Sequence, residues 1–300
     1  MNKLSLFPHF KPLEIGDQNI IHDLLWQYQP EASELTFTNL YMWRKKYNYR
    51  WSIFESWLLV IATDQKGKIY ALEPIGPPSR KKAVLQLLDW LSRQSSGKPE
   101  INRADKRIVS ELQSEDFFLT EPIREHFDYL YYTTNLVNLS GRKFHSKRNH
   151  HNRFLRNYQF DYQPLTYSHI SQCMEFSARW CRIYHCKENP SLCEEFVAIK
   201  EALAQFNKLH LRGAAIYIDG RMEAFTLGEL LNINTAVIHV EKASAEFHGI
   251  YAAINQMFSA DSFKNTTFIN REQDLGNQGL RKAKLSYHPV RFVEKFRIKL

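Results

Sequence analysis

Residues 269–289, INREQDLGNQGLRKAKLSYHP, bring acids and cations close enough together to act on one ligand. Glu272 and Asp274 follow Arg271 closely, and further cations come soon after them. A carboxylate can bind an amine or accept a proton, and a cation can neutralise a phosphate or a leaving oxygen. We therefore expect this segment to line a catalytic cleft. The cations expected to face the acids are Arg281, Lys282 and Lys284.

The position of this segment after a strand supports that expectation. The preceding residues, NTTFIN, have the composition of a strand, and ligands of open α/β sheets bind beyond the carboxyl ends of strands. Gly276 and Gly279 are expected to let the backbone turn sharply. Nearby positive charge should keep Glu272 and Asp274 ionised, which suits an amine clamp. The alternative is a solvated connection punctuated by glycine.

Another candidate carboxylate, Glu241, closes the predicted strand NTAVIHVEK beside Lys242. It needs a cationic partner, because burying an unpaired charge at the end of a central strand is costly. One hypothesis is that Glu241 recognises the amine of an aminoacyl group. The other is that it forms an ion pair within the fold, with a cation such as Arg271.

A basic helix is predicted over SGRKFHSKRNHHNRFLRNY, residues 140–158, with Ser140 as its N-cap. Lys143 and Lys147 are spaced i and i+4, so a helix places them on one face with Arg148 beside them. Such a row of cations can grip successive phosphates of a polyanion. An ordinary solvated helix face is the alternative.

Other reactive side chains give weaker signals. Tyr287 could carry a proton or simply pack, and packing is favoured; His288 and the tryptophans Trp43 and Trp180 are interpreted as structural. The cysteines form no C-x-x-C pair, so we predict no metal site and expect reduced, partly buried thiols, although His185 beside Cys186 leaves zinc as an alternative. The four cysteines are Cys173, Cys181, Cys186 and Cys193.

Composition narrows the class of protein. The chain has 300 residues, of which 44% are hydrophobic and 24% charged, as expected of a globular protein that buries a proper core. Its net charge of +8 favours polyanionic partners such as nucleic acid, nucleotides or acidic lipid headgroups. The longest apolar run, WLLVIA, is far shorter than the ~20 residues of a membrane span, and no secretory signal is evident. We therefore predict a cytoplasmic protein, with peripheral membrane association as an alternative.

Two series of alternating helices and strands must position these residues. In the first half we predict helices over 17–29, 33–47 (capped by Ser33) and 79–95, and strands over 51–63, 68–74 and 100–102. In the second half we predict helices over 141–158, 168–185, 191–209 and 249–263, and strands over 213–218, 221–230, 234–242 and 266–270. The matching order predicts an α/β fold with mixed sheets and two similar lobes, 1–132 and 133–300, the second carrying the active cleft.

Three segments resemble a known family: DYLYYTTNLVNLSGRKFHSKRNHHNRF, VEKASAEFHGIYAAINQMF and FINREQDLGNQGLRKAKLSYHP. They are similar to the C-terminal domain of phosphatidylglycerol lysyltransferases, including its stand-alone members. The resemblance covers essentially the whole chain. It implies two tandem folds of the GCN5-related N-acetyltransferase (GNAT) type, as in Fem-type peptidyl transferases, and transfer of an aminoacyl group from aminoacyl-tRNA to a hydroxyl or amine.

Two departures from the family pattern shape the predicted function. This sequence has no counterpart of the large membrane-embedded part of the lipid-modifying enzymes, which argues against a lipid acceptor. A small molecule and a lipid both stay open as acceptors. The loop AEFHGIY retains only Gly249 of the glycine-rich pyrophosphate loop that CoA-using relatives carry. Aminoacyl-tRNA is thus the predicted donor, with no required cofactor, and acyl-CoA is the alternative. A protein that binds RNA or anionic lipid without catalysis is the alternative from a different class.

Candidate roles follow from this resemblance and the chemistry. Glu241, Glu272 and Asp274 are the predicted catalytic residues. A second group is predicted to bind substrate or polyanion, and the acceptor, the amino acid and the oligomeric state stay open. That group consists of Lys143, Lys147, Arg148, Arg271, Arg281, Lys282, Lys284 and Gly249.

Overall fold

The computed structural model describes residues 4–94 and 97–300. The described helices are α1 Gln18–Tyr28, α2 Phe37–Tyr47, α3 Lys81–Gln94, α4 Lys106–Leu112, α5 Thr133–Asn138, α6 His145–Asn157, α7 Ile170–Ile183, α8 Pro190–Ala204, α9 Ile250–Ser262 and α10 Gln278–Leu285. The described strands are β1 Lys11–Pro12, β2 Arg50–Phe54, β3 Trp57–Thr63, β4 Ile69–Ala71, β5 Ile101–Ala104, β6 Leu119–Pro122, β7 Asp128–Tyr132, β8 Asp161–Pro164, β9 Arg212–Ile218, β10 Arg221–Asn232, β11 Thr235–Ala243, β12 Phe268–Asn270, β13 Arg291–Val293 and β14 Phe296–Lys299.

The chain divides into two compact units. The first contains the described residues up to Asp128 together with Gln273–Gly276 and Val293–Leu300, and the second contains Tyr129–Glu272 and Asn277–Phe292. The predicted α/β class with mixed sheets is confirmed, since each of the two sheets combines parallel and antiparallel pairs. The sequence predicted a single division after residue 132 and gave no sign of the later segments that join the first unit.

The first unit has a seven-stranded sheet in the order β1-β2-β3-β4-β5-β14-β6. Helix α3 forms because its apolar residues recur on one face, which is buried among the aliphatic side chains of the core. Its predicted last residue, Ser95, lies outside the described residues. Helix α2 begins at Phe37 rather than near Ser33, because Thr36 accepts the capping hydrogen bond from the amide of Asn39. The predicted cap, Ser33, instead donates from its hydroxyl to Asp128 over 3.0 Å.

A buried ionic cluster stabilises this first unit. The ammonium of Lys295 is completely buried between the carboxylates of Glu34 and Asp128, at 2.5 and 2.6 Å. Burial alone would raise the pKa of Glu34, but Lys295 and Arg103 outweigh that effect and lower it to about 2. These charges are paired with one another, so the cluster has the character of a structural network.

The second unit has a seven-stranded sheet in the order β13-β7-β12-β11-β10-β9-β8. Strands β9 and β10 form the predicted hairpin, whose turn residues Asp219 and Gly220 both have positive φ angles, as a type I′ turn requires. Strands β11 and β12 run parallel, with Val237 opposite Asn270. This register brings the end of β11 beside the chain that leaves β12.

Several local predictions for the second unit were wrong. Ser140 does not cap the basic helix: a 3₁₀ turn, Arg142–Phe144, precedes α6, and the Ser140 hydroxyl points back to the carbonyl of Asn138. Gly279 lies inside α10 rather than in a turn, whereas Gly276 does turn the chain with φ +79°. Short elements of both sheets and their helices were also not predicted: β1, α4, β6 and β14 in the first unit, and α5, β7, β8 and β13 with the second sheet.

The cysteines also depart from the prediction of reduced thiols. Cys181 and Cys186 form a disulfide, with Cα atoms 5.1 Å apart, while Cys173 and Cys193 are free. The zinc alternative through Cys186 therefore loses its thiolate ligand. Among residues 4–94 and 97–300 no group of three or more potential metal ligands is found, and no helix there is both long and apolar enough to cross a membrane.

Candidate functional site

Glu241 lies at the centre of a polar cluster in the second unit. It is on β11, and both of its carboxylate oxygens are engaged: Nη2 of Arg271 donates to Oε1 and Nδ2 of Asn255 donates to Oε2, each over 2.9 Å. Arg271 follows β12, which pairs with β11, and Asn255 is on α9. The predicted ion pair between Glu241 and Arg271 is therefore present.

Two buried polar atoms of this cluster are left without a partner. Within the described part of the chain, Oδ1 of Asn255 and Nη1 of Arg271 make no hydrogen bond. Asn255 is only 3% exposed, and its amide orientation follows from chemistry, because a carboxylate can only accept and must face Nδ2. An unsatisfied buried polar group costs about 1–3 kcal/mol, so such groups mark places where a ligand can bind.

Lys147 and Tyr287 complete the cluster. The Lys147 ammonium lies 4.4 Å from the centre of the Tyr287 ring, and the Arg271 guanidinium lies 4.8 Å from the same ring. Burial, with a further contribution from Arg271, lowers the pKa of Lys147. Burial also raises the pKa of Tyr287 to about 12, so its phenol stays protonated at neutral pH. The basic helix thus directs Lys147 toward Glu241 and Arg271, away from a purely solvated face.

Glu272 takes part in a second polar group that the sequence did not reveal. Oε1 of Glu272 lies 2.8 Å from Nδ1 of His239, and Nε2 of the same ring lies 2.8 Å from Oε1 of Glu229 on β10. Burial opposes protonation of His239, yet hydrogen bonds to both carboxylates outweigh it and raise its pKa to about 9. A β-bulge interrupts the alternation of β11 at His239, because Ile238 pairs with Gly228 and Val240 pairs with Leu227.

Lys284 fixes the backbone between these two groups. Its ammonium donates to the carbonyl oxygens of Arg271 and Glu272, at 2.5 and 3.1 Å, and the side chain is buried. The carbonyl oxygen of Lys284 in turn accepts a hydrogen bond from the Tyr131 hydroxyl. Lys284 thus holds the segment that carries Arg271 and Glu272, which have opposite charges and point to different partners.

Asp274 has contacts different from those of Glu241 and Glu272. It belongs to the first unit, is completely buried, and lies 3.5 Å from Nη1 of Arg124. It also accepts a hydrogen bond from the amide of Gly276 over 2.9 Å, which shapes the turn before α10. These contacts give the Asp274 carboxylate a structural role. Its catalytic role stays a prediction.

The remaining predicted polyanion-binding residues have different environments. Lys143 and Lys282 are exposed, and Arg281 lies with Lys282 along a surface groove on α10. His288 donates to the carbonyl of Lys143, which ties the segment after α10 to the 3₁₀ turn before α6. Lys143, Lys282 and the half-buried Arg281 remain candidates for phosphate contacts.

Arg148 and Gly249 are engaged in packing. The Arg148 guanidinium donates to the carbonyl oxygens of Leu139 and Gly141 and so secures the end of α5. Gly249 begins α9 with φ +93°, and a Cβ there would lie 2.2 Å from the carbonyl oxygen of His150. The close approach of α6 explains why only glycine fits, and it gives no support to a phosphate site at that point.

The family comparisons agree with the resemblance seen in the sequence. A family model described as phosphatidylglycerol lysyltransferase, C-terminal, matches residues 26–299. An uncharacterized protein of Mycoplasmoides gallisepticum is 27% identical over 178 residues, which are 58% of this chain and 56% of that protein. The match thus spans little more than half the length of this relative.

Solved structures share the fold. A conserved protein of unknown function from Bacteroides thetaiotaomicron is 31% identical, with a TM-score of 0.91 over 97% of this chain and 99% of the other. L-PGS from Bacillus licheniformis is 13% identical, with a TM-score of 0.65 over 99% and 94% of the two chains. FemX and a tandem GNAT protein from clavulanic acid biosynthesis show the same fold at TM-scores of 0.59 and 0.51, each over 97% of this chain and 97% and 98% of theirs, at 9% and 8% identity. The predicted tandem GNAT fold is confirmed.

Proposed function

Because the chain belongs to the phosphatidylglycerol lysyltransferase C-terminal family, we propose that it is an aminoacyltransferase that moves an aminoacyl group from aminoacyl-tRNA to a hydroxyl or amine acceptor. The family membership supports a transferase. The polar cluster around Glu241 supports an aminoacyl group as the group that is transferred.

The observation that carries this proposal is the pair of unsatisfied atoms beside Glu241. An α-aminoacyl ester presents an amine that donates and, three bonds away, a carbonyl oxygen that accepts. Oδ1 of Asn255 lacks a donor, and Nη1 of Arg271 lacks an acceptor. An aminoacyl ester would supply both, with its amine on Asn255 and Glu241 and its carbonyl on Arg271. Binding would thereby remove two buried unsatisfied groups.

The reaction then needs three further contributions. The acceptor X–H must lose its proton as the lone pair of X forms a bond to the acyl carbon. Glu272 is proposed to accept that proton. Arg271 stabilises the negative charge that develops on the carbonyl oxygen. The ester bond to the terminal ribose breaks, and the ribose oxygen takes the proton that Glu272 received. The exposed Lys143 and Lys282 and the half-buried Arg281 are proposed to bind tRNA phosphates.

The decisive experiment presents the purified protein with radiolabelled aminoacyl-tRNAs and with hydroxyl and amine acceptors, including phosphatidylglycerol vesicles. We expect a new aminoacyl product that forms with wild-type protein and is lost with Glu241→Gln. Glu246→Gln is the matched control, because this substitution removes the same charge from an exposed side chain five residues along the chain. Product formation from acyl-CoA alone would show that acyl-CoA, and not aminoacyl-tRNA, is the donor. RNA binding without any product would favour a binding protein.

A further inference from the structure

Three aromatic side chains lie beside the polar cluster around Glu241. Tyr251 is on α9 one turn before Asn255, and the i, i+4 spacing places both residues on one face of the helix. Burial raises the pKa of Tyr251 to about 12, and Trp180, Tyr184 and the Glu241 carboxylate also act on its phenol. We call Trp180, Tyr184 and Tyr251 the aromatic wall.

The aromatic wall is only partly covered by the protein. The rings of Trp180 and Tyr184 are stacked, with their centres 4.2 Å apart. Tyr184 and Tyr251 each keep 37% of their surface exposed. Aromatic surface beside a few polar groups is typical of a small-molecule site, because the apolar part of the ligand covers the rings while the polar groups fix its orientation.

A lysine of the chain itself already occupies the aromatic wall. The ammonium of Lys242 lies 3.8 Å from the centre of the Trp180 ring and donates to Oε2 of Glu195 over 2.7 Å. Lys242 is buried, and Glu195 reaches it from α8. An aromatic ring and a carboxylate are the groups that attract an ammonium ion. Lys242 therefore fills the position that the ammonium of a lysyl side chain would need.

The other charges near the end of β11 also disfavour a further cation. Glu241 is paired with Arg271, and Lys147 brings another positive charge toward them. Glu223 on β10, whose carbonyl accepts from the amide after β11, is paired with Arg179 over 2.9 Å. In the proposed reaction the aminoacyl amine also binds to Glu241. A lysyl or arginyl side chain would add a positive charge where these acids are already paired.

We propose that the site takes an uncharged aminoacyl group, because Lys242, held by Glu195, excludes cationic side chains. This inference rests on the proposed function and names the class of amino acid that is transferred. With the amine on Glu241 and Asn255, the side chain of the aminoacyl group extends along α9 and covers Tyr251. The ester bond that breaks and the acceptor bond that forms are those of the proposed reaction. Like charges placed together cost binding energy, so Lys242 is a specificity-determining residue.

The test uses one tRNA charged chemically with leucine, phenylalanine, lysine or arginine, so that only the aminoacyl group differs. For wild type, kcat/KM with the two uncharged groups should exceed kcat/KM with the two cationic groups at least about 10-fold. Lys242→Met removes the charge and keeps an unbranched chain, so this ratio should fall at least about 10-fold. Lys242→Arg keeps the charge and should keep the exclusion. Lys264→Met, at an exposed lysine of the same unit, is the matched control and should leave the ratio unchanged.

Two further variants keep the test valid if Lys242→Met does not fold. The double variant Lys242→Met/Glu195→Gln removes both partners of the ion pair and should also relieve the exclusion. Tyr251→Ala removes part of the aromatic wall and should lower kcat/KM for the leucyl and phenylalanyl groups by about 10-fold or more.

The failure of this inference is distinguishable from the failure of the proposed function. Wild-type protein that transfers lysine or arginine as well as leucine would overturn the specificity while leaving the transfer function in place. An unchanged ratio in both folded variants without Lys242, or unchanged kinetics in Tyr251→Ala, would do the same. Wild-type protein that transfers no aminoacyl group from any tRNA would overturn both proposals together.

Discussion

Arg271 and Glu241 meet through only one of the two terminal nitrogens of the guanidinium. Nη2 donates to Oε1 of Glu241, whereas Nη1 makes no hydrogen bond to any described residue. The carboxylate therefore serves as the anchor of the guanidinium and leaves one buried donor for a ligand. The sequence suggested either that Glu241 forms an ion pair within the fold or that it binds an aminoacyl amine. Both are compatible here, because the ion pair with Glu241 also orients the unpaired Nη1 of Arg271 for a ligand.

Replacing Asn255 by leucine should weaken binding of the aminoacyl donor. Leucine has nearly the same shape but removes both the donor to Glu241 and the unpaired acceptor Oδ1. A single lost hydrogen bond to a charged group is worth about 1.5–3 kcal/mol, so KM for aminoacyl-tRNA should rise about 10- to 100-fold. Steady-state kinetics on the folded variant measures this. Ser259→Ala is a suitable control on the same helix, because that hydroxyl donates to the backbone of Asn255.

The stability of the protein should decrease as pH rises from 6.5 to 9. Folding raises the pKa of His239 from 6.5 to about 9, so the folded state binds a proton more tightly than the unfolded state. The stabilisation is fully present below pH 6.5 and is lost as pH rises through about 9. The shift corresponds to at most about 3 kcal/mol. Urea unfolding across this range should show the decrease in wild type, and His239→Asn should show a flatter dependence.

Much of the fold could be predicted because its signals are local. The Asp219-Gly220 turn and the apolar face of α3 are encoded within a few adjacent residues. The cap of α2 was misplaced because Ser33 and Thr36 are both good caps, and only the contact of Ser33 with Asp128 decides between them. That contact joins residues far apart in the sequence, which no local pattern reveals.

The site was predictable only in part for the same reason. Glu241, Arg271 and Glu272 were found because charge near strand ends is conspicuous in a sequence. His239 was missed because a lone histidine inside an apolar strand resembles a packed side chain. Asn255 lies in an apolar helix and gave no signal. Both become evident only once the sheet register is known.

Reversing the three proposed phosphate-binding cations, Lys143, Arg281 and Lys282, to glutamate should weaken tRNA binding. Each neutralised phosphate releases a counterion, so loss of three contacts should flatten the log–log salt dependence by about 2 to 3. Filter binding across a salt series measures the slope. Lys147 and Arg148 are left intact because they pack within the fold. The control carries the same reversal at three exposed lysines of the first unit, Lys66, Lys98 and Lys106; equal slopes for both triple variants would show that only net charge matters.

Asp274→Asn and Glu272→Gln should have opposite effects although only one residue separates the two acids. Asp274 is buried against Arg124 and the Gly276 amide, so its amide variant should lose about 1–3 kcal/mol of stability and keep its kcat. Glu272 contacts His239 and is the proton acceptor of the proposed reaction, so Glu272→Gln should lose at least roughly 100-fold in kcat. Denaturation curves and transfer kinetics on the same preparations separate the two effects. A large loss of kcat in stably folded Asp274→Asn would instead place that carboxylate in the reaction, as the sequence suggested.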